Sequence, residues 1–137
     1  MLRVIFFLLL FISLSHARNM LVVTNHSNAI ETVTKEELRK IYLKKRRFWK
    51  ETKLLPLNLP PNDPYRVNFE KNILGMPSEK LDTYWMKQHY QGHRPPYRVE
   101  SVKSMILFVK KVKGAIGYIP ENQLEKGVKI IYRFQEK

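Results

Sequence analysis

SVKSMILFVKKVKGAIGYI, Ser101 to Ile119, is the stretch whose reading decides the fold. Val102, Met105, Ile106, Val109 and Val112 recur at three- and four-residue spacing, the stripe of a helix that buries one face. Ser101 stands where an N-cap hydroxyl is wanted, and Gly114 where a left-handed C-cap is. Ala115 to Ile119 is then a short apolar run, with Gly117 inside it and Pro120 closing it. Such a run reads as a strand covered on both faces and approached closely by another backbone. A helix docked on a doubly covered strand implies an α/β domain.

The flanking sequence extends that pattern in both directions. Upstream, Asn19 to Thr24 is rich in Val and Leu and reads as a first buried strand, followed by a polar turn, Asn25 to Asn28. Thr34 with Glu37 three residues on predicts a capping box, opening a helix that buries Leu38, Ile41 and Tyr42. Leu54 to Leu59 reads as another strand, with Pro56 suggesting an edge or a strand start. A helix from Pro64 or Tyr65 to Leu74 is closed by Gly75; a second, from Ser78 to about Gln91, buries Leu81, Tyr84 and Trp85 and ends at Gly92. Gly92 to Arg98 is a loop with two prolines, and downstream Val128 to Phe134 alternates as a last strand. The expected architecture is three-layered, a small mixed sheet with helices on both faces.

Length and charge bound the function. The chain has 137 residues, enough for one domain, and a formal charge of +13. Met1 to Ala17 has Arg3 as a positive start, an apolar run from Val4 to Ile12, and Ser15-His16-Ala17 as a small-x-small cleavage site, the pattern of a secretory signal. That run falls short of the ~20 residues a membrane span needs, and no other segment reaches it. Residues 18–137 then form the expected mature domain, which loses only Arg3 from the basic count and stands at +12. The absence of cysteine excludes disulfides and a lipid-modified cysteine. Export without disulfides points to a bacterial periplasm. The charge favours solubility together with anionic partners.

Catalytic groups are sparse. Without cysteine, and with only His26, His89 and His93 beyond the signal, a nucleophile and its base have few members, so no enzyme is expected. His89 and His93 have helix-face spacing, but Gly92 interrupts them and no carboxylate partner follows in register, so neither a metal nor another cofactor is implied. Anion binding is better served. Helix N-termini that follow strands present free N–H groups, and two such places occur: Thr24 to Ser27, and Asn62 to Arg66. Thr24, Asn25, Ser27 and Arg66 are the candidate donors, although the same residues serve equally as turn and cap residues. The alternative contact is the block Lys44, Lys45, Arg46 and Arg47, continued by Lys50 and Lys53 with Phe48 and Trp49 among them. It suits a polyanion or a membrane surface; nucleic acid is less favoured, because four charges at a helix C-terminus also complement its dipole. The two aromatics are expected to tuck back onto the core.

In the order of these features the chain resembles the phosphate-binding proteins of bacterial ABC transporters, within the type II periplasmic binding protein superfamily. The resemblance rests on LVVTN (21–25), TKEELRKIYL (34–43) followed by the basic segment and Trp49, and VKGAIGYIP (112–120), with Tyr84-Trp85 and the Gly92 to Pro96 segment between them. It implies a single lobe of that fold, a non-enzymatic binding role and a small oxyanion such as phosphate. Two departures accompany it. The strand-to-helix loop is NLPPNDPYR (58–66), without the Ser-Gly-Thr triplet and preceding Arg of the family, and the glycine usual after the first helix is Lys44. Three charge-assisted hydrogen bonds supply roughly 4.5–9 kcal/mol gross, against an association cost of about 4–15 kcal/mol. A half-site therefore binds a free anion only at about millimolar concentration, and tighter binding calls for a homodimer or an envelope protein partner.

Overall fold

A computed structural model describes residues 18–136; the expected signal, Met1 to Ala17, lies outside the described residues. Seven strands and four helices follow in the order β1 (Asn19–Asn25), α1 (Lys35–Tyr42), β2 (Phe48–Trp49), β3 (Thr52–Lys53), β4 (Leu55–Asn58), α2 (Pro64–Phe69), α3 (Ser78–Tyr90), β5 (Tyr97–Arg98), α4 (Val102–Lys111), β6 (Ala115–Pro120) and β7 (Val128–Gln135). A five-stranded sheet has the order β5-β4-β6-β1-β7, and β2 with β3 forms a separate ribbon. β4 is parallel to both β5 and β6, while β1 is antiparallel to β6 and to β7. One strand, β1, thus runs against the other four.

The layers follow from side-chain alternation along β6, every residue of which is buried. A Cβ on Gly117 would lie 2.7 Å from Cγ of Met105 on α4. Its neighbour Tyr118 points the other way, stacked on Phe69 of α2 with ring centroids 4.2 Å apart; Tyr42 of α1 lies 4.6 Å from Phe69. Helices therefore cover both faces, and the mixed α/β three-layer lobe expected from the sequence is what the chain forms. Ser101 caps α4 through Ser104 N–H, and the Thr34–Glu37 capping box is present at α1.

Several local readings change. Gly114 is not a left-handed cap, since α4 ends at Val112 in extended conformation and Gly114 has no positive φ. A Cβ there would instead overlap the Lys53 carbonyl, so the close backbone approach expected at Gly117 occurs at Gly114, and Gly117 makes room for the Met105 thioether. Of the two readings of Pro56 the strand start holds and the edge does not: it is the second residue of β4, an interior strand, and β5 begins beside Leu57, one residue on, so the missing N–H faces no partner from β5. The 64–74 helix is α-helical to Phe69 and then widens to a π turn, Glu70–Leu74, before Gly75 ends it at φ 62°. Of the aromatic pair, Trp49 packs against the core, but Phe48 is 53% exposed. The β2–β3 ribbon and β5 are too short to leave a pattern in the sequence.

Candidate anion-binding site

The reversed direction of β1 decides where the expected donors lie. Its carboxyl end, Thr24 and Asn25, sits beside Ile116 at the start of β6, whereas Met20 pairs with Pro120 at the far end. Arg66 belongs to that far end, where β4 leads into α2. The two groups are separated by about four residues of strand, roughly 13 Å, and the structure does not bring them together.

Both groups are engaged within the fold. The Thr24 hydroxyl, fully buried, donates to Ala115 O (2.8 Å) and accepts from Asn28 Nδ2 (2.9 Å). Asn25 Nδ2 donates to Val109 O (2.9 Å) and Lys110 O (3.0 Å), two carbonyls that the last turn of α4 leaves without helical partners. Its Oδ1 accepts from the N–H and hydroxyl of Ser27 at 2.9 and 2.6 Å, an Asx turn. At the far end, Arg66 Nε donates to Glu70 Oε1 (3.0 Å) and Nη1 to Leu59 O (2.9 Å). The N-terminus of α2 already holds a carboxylate, since Asp63 accepts from Tyr65 N–H at 2.8 Å. Tyr118 completes this closed end: its hydroxyl donates to Asn58 Oδ1 (2.6 Å) and accepts from Leu59 N–H (3.1 Å). Burial pushes the Tyr118 hydroxyl well above the usual tyrosine range, so it stays a neutral donor.

The positive charge gathers at the opposite end, where β4 and β6 begin. A cleft of about 240 Å³ is lined there by Lys44, Arg46, Arg47 and Lys53 on one wall and Gly92, His93 and Arg94 on the other, over Leu54 and Pro56. Among the described residues no carboxylate lines it. Arg46 reaches Glu37 (3.2 Å) and lies 3.9 Å over the Trp49 ring; among the described residues the other lysines and arginines of this cleft have no ion pair. Local geometry assembles the first wall. α1 ends with Lys45 N–H on Lys40 O (2.8 Å) and Lys44 N–H on Ile41 O (3.1 Å), the two bonds of a Schellman motif, which puts Lys44 at the left-handed position with φ 61°. The ribbon then doubles back, pairing Phe48 with Lys53, so that Lys53 returns to Lys44. Burial first, then Arg47, then Lys53, holds the Lys44 ammonium below the usual lysine range.

Of the basic block, Lys44, Arg46 and Arg47 therefore share this cleft, while Lys45 is exposed outside it. Sequence reasoning missed His93 and Arg94 as members. They follow α3, some forty residues further along the chain, and only the fold brings that loop against the ribbon. His93 Nδ1 is 2.7 Å from Gln88 Oε1, which leaves Nε2 as the other nitrogen of the ring. What this arrangement can do is hold negative charge.

No protein-family model and no curated protein sequence matches the chain. Solved structures do match. An ABC-type phosphate transport receptor from Vibrio cholerae superposes with a TM-score of 0.68 at 21% identity, over 84% of this chain and 46% of that one. A protein from Clostridium perfringens, assigned as a phosphate ABC transporter substrate-binding protein and solved with bound phosphate, gives 0.67 at 19% over 84% and 45%. PstS from Borrelia burgdorferi gives 0.64 at 20% over 84% and 47%. The chain thus spans about half the length of the structures that it matches. Its fold is that of a single lobe of the phosphate ABC transporter substrate-binding proteins.

Proposed function

We propose that this chain is an exported, non-enzymatic anion-binding module of the bacterial periplasm, and that it takes an oxyanion such as phosphate in the basic cleft. The observation that carries the reading is the crowding of Lys44, Arg46, Arg47, Lys53, His93 and Arg94 around one cleft that, among the described residues, no carboxylate lines. Like charges so placed raise the energy of the empty site, and an anion relieves it. Lys44 adds a second sign. A side chain at a left-handed helix end costs about 1–2 kcal/mol that glycine avoids, and strain of this kind collects at functional sites. The basic end, rather than the β4–α2 loop, is then the place where a ligand acts. Thr24, Asn25 and Ser27 shape the backbone at that end of the sheet, while Arg66 braces the β4–α2 loop at the other.

Affinity for a free anion is expected near millimolar, for the cleft is open on one side and supplies only part of a coordination shell. A second lobe, from another copy or an envelope protein, would close it.

The test is the shift in thermal midpoint produced by millimolar phosphate, sulfate and chloride at matched ionic strength. A rise with phosphate that is lost in Lys53→Glu and kept in Arg66→Ala supports the cleft. Loss in Arg66→Ala alone would return the site to the β4–α2 loop. Equal shifts with all three salts would remove the selective site altogether.

A further inference from the structure

We infer that the anion presented to the cleft is the phosphate of a lipid headgroup in a bilayer, with the β2–β3 ribbon laid on the membrane surface and Phe48 in its apolar boundary. The inference rests on the anion-binding reading above and names its ligand. Two observations carry it.

The first is the amount and extent of charge. One small oxyanion neutralises two or three cations, yet Arg39, Lys40, Lys44, Lys45, Arg46, Arg47, Lys50 and Lys53 fall in fifteen residues with Glu51 as their only acid. Of these, only Arg46 has a carboxylate partner among the described residues. Lys45 and Lys50 are exposed and outside the cleft, and Lys50 turns the ribbon at φ 54°. Such a spread matches an extended array of phosphates rather than one ion, because each lysine or arginine near an anionic bilayer adds its own attraction.

The second is the position of Phe48. It stands directly opposite Lys53 in the ribbon, and residues directly opposite project to the same face. The cleft cation Lys53 and a ring that is 53% exposed are thus side by side. The cleft floor beneath them is Leu54 and Pro56, apolar groups suited to the carbon chain that joins a phosphate to its lipid. A free phosphate uses neither feature. A nucleic acid could stack a base on Phe48, but the Met1 to Ala17 segment has the pattern of an export signal, and the compartment it leads to is bounded by membranes.

The experiment is vesicle co-sedimentation of residues 18–137, with phosphatidylcholine alone and with phosphatidylcholine mixed with phosphatidylglycerol, beside a fluorescent oligonucleotide titration and the phosphate midpoint assay. Binding to the anionic vesicles only, weakened by salt and lowered roughly tenfold in Phe48→Ala, is the expected result. Phe48→Ala should leave the phosphate shift unchanged, and Lys53→Glu should remove both. Anionic vesicles left unbound while the phosphate shift persists would overturn the lipid inference and spare the anion site. Vesicle binding insensitive to Phe48→Ala would overturn the seating of the ribbon. Oligonucleotide binding without vesicle binding would assign the surface to nucleic acid instead. Loss of the phosphate shift together with vesicle binding, in the unaltered chain, would bring down the anion site as well.

Discussion

The two ends of the central sheet solve opposite problems. Where β4 and β6 finish, each polar group described has its partner inside the lobe: Arg66 with Glu70 and Leu59 O, Asp63 with the α2 backbone, and the Tyr118 hydroxyl with Asn58 and Leu59. Where they begin, cations face one another across a cleft and the backbone is bent to hold one of them. In open α/β sheets the carboxyl ends of strands are the usual binding edge. Here Arg66, Asp63 and Tyr118 at that edge are bonded within the chain, and the crowded cations stand at the other one. A fold shared with a binding protein does not by itself say where a ligand sits.

The largest effect should come from breaking the closed end. Tyr118→Ala removes a fully buried ring stacked on Phe69 and leaves Leu59 N–H without its acceptor. A loss of about 3–5 kcal/mol is expected, readable by urea denaturation. The open end should respond in the opposite direction. Lys44→Gly relieves a left-handed side chain and a crowded ammonium, so it should stabilise the lobe by about 1–2 kcal/mol while weakening the phosphate-induced midpoint shift. Stabilisation with an undiminished shift would separate the strain from the site. Asp63→Ala, back at the closed end, should cost about 1 kcal/mol as a lost N-cap and leave the phosphate shift alone. A new anion response at α2 in that variant would show that Asp63 had been occupying a latent site.

The smallest effect is a pH dependence. The folded-state pKa of Lys44 lies below its ordinary value, so over the window between the two the unfolded chain holds more protons. Stability from this group therefore rises as pH rises through the alkaline range just under the usual lysine value. The slope should flatten in Lys44→Gly when pH-dependent melting curves of the two proteins are compared.

Much of the fold was legible because the long elements carry periodic burial. The stripe on α4 and the apolar run of β6 define two layers by themselves, and the capping box at Thr34 marks α1 to the residue. What escaped were elements shorter than any period: β2, β3 and β5, two residues each. The cleft escaped for the same reason, since its first wall is that short ribbon and its second is a loop far away in sequence. The direction of β1 is a further limit. Asn19 to Asn25 reads as a buried strand whichever way it runs, yet its reversal is what puts Thr24 and Arg66 at opposite ends. The two glycines of the deciding stretch show a finer form of this limit. Close approach was legible at that stretch, but which glycine met the backbone and which met a side chain depended on where Lys53 and Met105 came to lie.

The second wall of the cleft has one more property. Gly92, His93 and Arg94 continue from α3, a thirteen-residue helix with only Leu81 fully inside the core, moored further by the Tyr84 hydroxyl on Leu43 O. The facing wall is rooted in the sheet through Leu55, whose N–H donates to Gly114 O (2.8 Å) just ahead of β6. An anion gripped by both walls would act as a rivet, joining α3 to the sheet. Amide protons of α3 should then slow their exchange when the cleft is filled, while those of β1 and β6 keep their rates.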